Sequence, residues 1–190
     1  MSNPTPEFCP YKGLQPYTEA DRDYFFGRER DREIIIANLY ASSLTVLYGA
    51  SGVGKSSVLL AGVVPTLKET PRVAVVVFRD WQNPQFQTAL KTAVQQAVGQ
   101  GFGKEVDAGE GLPFDEYLDQ CLQEVRGQIF FVLDQFEEYF FYHPPSSAET
   151  GFDAELARAV NRQEIRANFL FAVREDGLSK LDRFQGRILQ

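Results

Sequence analysis

The residues Gly49-Ala50-Ser51-Gly52-Val53-Gly54-Lys55-Ser56 have the spacing G-x-x-x-x-G-K-[ST] and directly follow an apolar run, Leu44 to Tyr48, that reads as a buried strand. The chemistry of such a segment is phosphate binding. Glycines at 49, 52 and 54 let the backbone take conformations that a Cβ disfavours, so that several N–H groups converge on one phosphate chain. Lys55 reaches the β- and γ-phosphates as a point charge, and the Ser56 hydroxyl suits Mg²⁺. The candidate nucleotide-binding residues are thus Gly49, Ala50, Ser51, Gly52, Val53, Gly54, Lys55, Ser56 and the adjoining Ser57, the last one position too late for the metal. The competing reading is a glycine-rich turn with no ligand.

Hydrolysis needs in addition an acid to hold the Mg²⁺ shell and a group to orient water. The run Ile129-Phe130-Phe131-Val132-Leu133-Asp134 is an apolar strand ending in a carboxylate, and Gln135-Phe136-Glu137-Glu138 follows at once. Ser56 and Asp134 are the candidate metal residues, and Glu137 or Glu138 is the candidate water-polarising group. Against these stand a helix N-cap for Asp134 and a solvated helix face for one of the glutamates. A further apolar run, Phe169 to Val173, ends in Arg174, whose paired N–H donors would sense a γ-phosphate; an ion pair with a neighbouring carboxylate is the alternative.

The elements that must position these residues alternate strand-like with helical patterns, the signature of a parallel sheet covered by helices. Leu44 to Tyr48, Val73 to Phe78, Ile129 to Leu133 and Phe169 to Val173 are nearly continuous in apolar residues, as strands buried on both faces should be. Lys55 to Lys68 places Val58, Leu59, Gly62 and Val63 on one helical face. Phe86, Leu90, Val94 and Ala97 form a second stripe, and Phe114, Leu118, Cys121, Leu122 and Val125 a third. Gly99 to Gly111 and His143 to Thr150 read as exposed loops. Upstream, Thr18 to Phe25 suggests a short helix with Thr18 as N-cap and Asp21 near the capping-box position, and Arg28 to Tyr40 a longer one. Before residue 18, Pro4, Pro6, Pro10 and Pro16 oppose regular structure, so residues 1–17 are expected to be a lead-in and 18–190 the core.

Composition narrows the partners. With 190 residues, 44% of them hydrophobic, the chain is long enough for one core, and a formal charge of −7 opposes general attraction to nucleic acid or anionic lipid. Arg28, Arg30 and Arg32 alternate with Glu29, Asp31 and Glu33, which reads as a solvated helix face rather than a nucleic-acid site. Cys9 and Cys121 lack a CxxC partner, so a disulfide or metal site is not expected, and Cys121 reads as a small buried hydrophobe. The single histidine, His143, has no second histidine with which to form a metal site or dyad. No apolar run approaches the ~20 residues that span a bilayer and Met1 to Pro10 is no signal sequence, so a cytoplasmic location is expected.

Taken in order, the segments Cys9-Pro10-Tyr11-Lys12-Gly13-Leu14-Gln15-Pro16-Tyr17, Tyr24-Phe25-Phe26-Gly27-Arg28-Glu29, the phosphate loop, Val132-Leu133-Asp134-Gln135-Phe136-Glu137-Glu138 and Phe171-Ala172-Val173-Arg174 resemble the motif set of the novel STAND NTPases. These are AAA+-related P-loop proteins, signal-transduction ATPases with numerous domains. The resemblance runs from about Cys9 to Arg183. It implies a P-loop NTPase fold, an adenine pocket bordered by Phe26, Gly27 and Arg28 with Glu33 further along the helix, Asp134 as the Walker B acid, Glu138 as the likelier of the two glutamates to polarise water, and Arg174 at the sensor position. It also implies that the Phe169 to Val173 strand lies between the P-loop strand and the Ile129 to Leu133 strand.

This chain departs from the family where Arg174 is followed by Glu175-Asp176-Gly177, and where relatives continue into a further strand, a lid and a winged helix beyond the point matching Gln190. The expectation is a core truncated after the fourth strand, with its P-loop strand an apolar edge and without the lid that completes such sites for turnover. The leading functional reading is the ATP- and Mg²⁺-dependent core of a signalling or defence switch that self-associates on activation. The alternatives are a replication-initiator-like ATPase acting on DNA, and a nucleotide-dependent scaffold without turnover. No guanine-type N/T-K-x-D motif is present, and only the resemblance points to adenine.

Overall fold

The structure, a computed structural model, describes residues 13, 15–145, 151–162 and 164–189. Cys9 and most of the proline-bearing lead-in lie outside the described residues. Four apolar runs form the strands β1 (Leu44–Gly49), β2 (Val73–Phe78), β3 (Gln128–Leu133) and β4 (Ala167–Arg174), all parallel, in the order β1-β4-β3-β2. The β4 strand therefore separates the P-loop strand from β3, as the resemblance implied. Register places Gly49 beside Arg174, Leu133 beside Phe171 and Phe78 beside Leu133, which lines up the C-terminal ends of all four strands along one edge.

Alternation along the strands explains why the sheet is apolar throughout. Val75, Phe130, Val132, Leu170 and Ala172 pack on one face against Ile35 and Leu39 of α1 (Glu29–Ala41) and Val58, Leu59 and Val63 of the helical segment after the phosphate loop. Val76, Phe131, Leu133, Phe169 and Phe171 pack on the other face, against helices that follow β2 and β3. Each such fully buried side chain contributes roughly 1.5–3 kcal/mol. At the outer edge, β1 pairs only with β4 among the described residues, and Val46 and Tyr48 are exposed there.

The segment 55–68 is helical, with a change of pitch: α2 (Lys55–Ser57) runs into a π-turn (Val58–Val63) and then α3 (Val64–Lys68). Apolar spacing alone does not distinguish a π-turn from an α-turn. The short helix upstream is a 3-10 turn, Glu19–Tyr24, in which the Asp21 carboxylate accepts the Thr18 backbone N–H at 2.8 Å. The stripes at Phe86 and Phe114 become α4 (Phe86–Phe102) and α5 (Phe114–Glu124); Cys121 is buried on α5, where desolvation raises its thiol pKa. After β3 come α6 (Phe136–Tyr142), α7 (Phe152–Asn161) and, beyond β4, a 3-10 segment, Glu175–Phe184. Neither α7 nor this last segment stood out in the sequence pattern.

One loop boundary is corrected. The residues from Gly99 read as an exposed loop, but α4 continues to Phe102 and is closed by Gly103 in the left-handed region at φ 64°, its N–H donating to the Gly99 carbonyl at 2.9 Å. The glycine at 101 permits close approach to β2: a Cβ added there would lie 2.5 Å from the Val73 carbonyl oxygen and 3.0 Å from the Ala74 Cα. Helix propensity alone favours Gly101→Ala by about 1 kcal/mol, whereas overpacking against backbone costs about 1–3 kcal/mol. The expected outcome is a net loss of about 1 kcal/mol or more, read from the urea midpoint; a stabilised variant would show that α4 does not rest on β2 at this point.

Candidate functional site

The site grows from the aligned C-terminal ends of the strands. Beyond β1 the chain turns through the phosphate loop with Gly52 and Gly54 at φ 78° and 87°, a region side chains rarely adopt. Gly54 is the N-cap of α2, and its carbonyl accepts the Val58 N–H at 2.9 Å. The Lys55 ammonium donates to the Gly49 and Ala50 carbonyls at 2.7 and 2.9 Å, which holds it over the loop.

Asp134 reaches the same place from β3. Its N–H donates to the Phe78 carbonyl at 2.8 Å, and its own carbonyl accepts the indole N–H of the wholly buried Trp81 at 2.8 Å. Gln135 then takes a left-handed conformation, φ 53°, so the chain turns sharply into α6. The Asp134 carboxyl is 1% exposed, and its Oδ1 accepts the Ser56 hydroxyl at 3.1 Å. Its Oδ2 is buried without a hydrogen-bond partner. An unpartnered buried carboxylate oxygen is costly, and together with the Ser56 hydroxyl it makes a pair of hard oxygen donors of the kind Mg²⁺ accepts. The residues present fit that ion.

A cleft of about 510 Å³ joins these groups: Ser51, Gly52, Gly54, Lys55, Ser56, Asp134, Glu137 and Arg174 all line it. Glu137 and Glu138 diverge around α6. Glu137 faces the cleft and its Oε2 accepts the Arg174 backbone N–H at 3.1 Å. Gly177 makes that approach possible, since a Cβ there would lie 2.6 Å from the Glu137 Cβ. Glu138 lines an adjoining depression with Phe141, Asp176 and Lys180 instead. The Arg174 side chain borders both spaces, but its guanidinium is paired with Asp176, Nε to Oδ1 at 3.0 Å with a second contact beside it. That pairing raises the Arg174 pKa and lowers that of Asp176.

The upstream residues close two sides of the loop. Gln15, Pro16 and Tyr17 line the cleft, and the Ser57 hydroxyl accepts the Tyr17 N–H at 3.1 Å, so Ser57 anchors the lead-in. Arg28 pairs with Asp31 at 2.5 Å and reaches the Val53 carbonyl at 3.4 Å. Phe25, Phe26, Arg28 and Gly62 line a second depression of about 260 Å³, with Gly27 at φ 82° providing the bend. Glu33 is exposed on α1. The lone histidine is fixed beside the site, its Nε2 donating to the Trp81 carbonyl at 2.7 Å and its ring 4.3 Å from that of Phe86.

Several cleft residues were not among the candidates, Gln15, Pro16, Tyr17 and Arg79 among them. Arg79 follows β2 directly, one residue past the Phe78 whose carbonyl accepts the Asp134 N–H, and lines the cleft. The signal existed, because a polar residue ending a buried strand is the pattern that singled out Asp134 and Arg174.

Comparison with known proteins agrees with this geometry. The sequence model of novel STAND NTPase 1 matches residues 10–187. No match is found among curated proteins. Among solved structures, the ORC2 protein of Aeropyrum pernix in ADPNP–ADP complexes is similar with a TM-score of 0.60 at 16% identity, over 94% of this chain and 48% of that one. A Walker-type ATPase of Pyrococcus abyssi is similar with a TM-score of 0.58 at 17% identity, over 92% of this chain and 51% of that one. The chain thus spans about half the length of the solved structures it matches. These likenesses show the fold, a P-loop ATPase sheet with helices on both faces. Since the family match extends over nearly the whole sequence and the phosphate loop, the acid and the strand order all agree with it, this chain belongs to the novel STAND NTPase 1 family and is a nucleotide-binding P-loop NTPase core.

Proposed function

We propose that residues 18–190, with 1–17 as lead-in, bind ATP and Mg²⁺ as the core of a cytoplasmic signalling switch that self-associates when activated. The observation that carries this reading is the meeting of Lys55, Ser56 and the unpartnered Asp134 Oδ2 in one cleft. The loop amides and Lys55 hold the phosphate chain, and Ser56 with Asp134 holds the metal. Mg²⁺ supplies charge neutralisation on the transferring phosphoryl oxygens when bound. The depression beside Phe26, Gly27 and Arg28 receives the base; the adenine nucleotides in the ORC2 structure support adenine. Among the described residues no helix is long and apolar enough to cross a membrane.

Arg174 is the sensor in this reading. Its guanidinium exchanges Asp176 for a terminal phosphate, and Asp176 belongs to the Glu175–Phe184 segment, so nucleotide state is felt beyond the cleft. Glu137 and Glu138 remain the two candidates for polarising water: Glu137 lines the cleft, and the resemblance of the Asp134 to Glu138 stretch to the family's motif set speaks for Glu138.

Two outcomes are expected. In calorimetric titration with Mg²⁺, Lys55→Ala weakens ATP binding by about a hundredfold, because charge-assisted hydrogen bonds contribute ~1.5–3 kcal/mol each. The single tryptophan, Trp81, hydrogen-bonded to the Asp134 carbonyl, changes its emission on ATP addition to the wild type only; wild-type affinity in the variant would refute the phosphate-loop assignment. Phosphate release followed on Glu137→Gln and Glu138→Gln identifies the water-polarising residue as the one whose loss lowers turnover about a hundredfold or more with ATP affinity retained. A wild type that binds ATP and releases no phosphate would replace the hydrolysing switch with a nucleotide-dependent scaffold.

A further inference from the structure

The cations that line the phosphate cleft differ in what already holds them. Lys55 is bonded to two loop carbonyls and Arg174 to Asp176. Arg79 is exposed, lines the same cleft, and its side chain makes no hydrogen bond or ion pair among the described residues. A guanidinium left unpaired in the cleft that Asp134 and Glu137 also line retains its planar set of donors, which match phosphate oxygens in pairs.

Position decides which phosphate it meets. The phosphate loop follows β1, whereas Arg79 follows β2, three strands away in the order β1-β4-β3-β2. At about 4.8 Å per strand the two ends are roughly 14 Å apart. The loop amides and Lys55 hold the phosphate chain on the β1 side, so its free end, the terminal phosphate, is the group that would extend across the strand ends toward Asp134 and Arg79. Phe78 pairs with Leu133 in the sheet and its carbonyl accepts the Asp134 N–H at 2.8 Å, so the backbone that leads into Arg79 is held to the β3 end and only the side chain has to reach.

We propose that Arg79, in addition to the sensor Arg174, lets this site distinguish a nucleoside triphosphate from the diphosphate, through paired hydrogen bonds from its guanidinium to the terminal phosphate. This deepens the ATP-binding reading above and rests on it. A triphosphate gains a contact on β2 that a diphosphate held by the same loop does not reach.

The test is calorimetric titration of the full chain with Mg·ATP and with Mg·ADP, on wild type, Arg79→Ala and Arg79→Lys, each with its urea midpoint and its phosphate release measured. Arg79→Ala is expected to weaken ATP binding by about tenfold or more and ADP binding by less than about twofold, the loss of a charge-assisted contact. Arg79→Lys falls between, having the charge without the paired donors. An unchanged ATP-to-ADP ratio in a folded Arg79→Ala variant, or equal loss of both, would overturn the inference while leaving the site reading in place. So would slowed phosphate release with both affinities unchanged, which would put Arg79 on Glu137 rather than on phosphate. A folded wild type that binds neither nucleotide would overturn the site reading itself, and the role of Arg79 with it.

Discussion

The hydrogen bond between the Ser56 hydroxyl and the Asp134 carboxylate joins two halves of the molecule that are 78 residues apart in sequence, and the arrangement of the site depends on it. It forms because β3 is buried on both faces and has no freedom to shift: a slip of one residue would turn Phe130 and Val132 into the layer occupied by Phe131 and Leu133. The strand is held between β4 and β2, so its last residue emerges at a fixed height beside the phosphate loop. Hydrophobic packing thereby positions a polar group whose own burial is unfavourable.

Local backbone conformations complete what the sheet begins. Gln135 in the left-handed region turns the chain from β3 into α6 within one residue, and the Trp81 indole fixes the carbonyl just before that turn. The same tryptophan is bonded through its carbonyl to His143, whose carbonyl in turn accepts an Arg183 N–H at 2.6 Å. Arg183 is nearly buried, pairs with the buried Asp153 at 2.7 Å, and lies over the ring of Tyr139, whose hydroxyl donates to the same carboxylate at 2.6 Å. Burial raises the Tyr139 pKa, with the bond to Asp153 adding to the effect. Breaking such a buried pair by removing one partner typically costs about 3–5 kcal/mol, so α6, α7 and the Glu175–Phe184 segment are held against the strand end as one body.

Much of this was legible in the chain. The phosphate loop carries its own conformational demands in Gly52 and Gly54, and the four apolar runs are the four strands, β2, β3 and β4 packed on both faces as expected while β1, at the edge, leaves Val46 and Tyr48 exposed. Asp134 was identifiable because an acid ending such a run must emerge at a sheet edge. What was misjudged shares a cause. The glycine at 101 was read as loop because the residue type does not say whether a missing Cβ serves a turn or a close approach, and the β2 backbone beneath it decides for the latter. Helix α7, with Asp153 and Glu155 buried, conceals its apolar face behind charges whose partners come from elsewhere: Arg183 for one, and the Phe114 N–H for the other.

The sequence by itself determined the family, the nucleotide-binding class and most of the polar groups that gather at the cleft, because spacing within one loop or at one strand end is a local property. Only the tertiary structure decided which of Glu137 and Glu138 faces the cleft, that Ser57 holds the lead-in, that Arg174 is engaged by Asp176, and that Arg79 arrives unpaired from the far strand. Each of these depends on strand order, on helix rotation or on the pairing of charges across distant segments. Such contacts are selected by the packing of the whole sheet, and no window of neighbouring residues contains them.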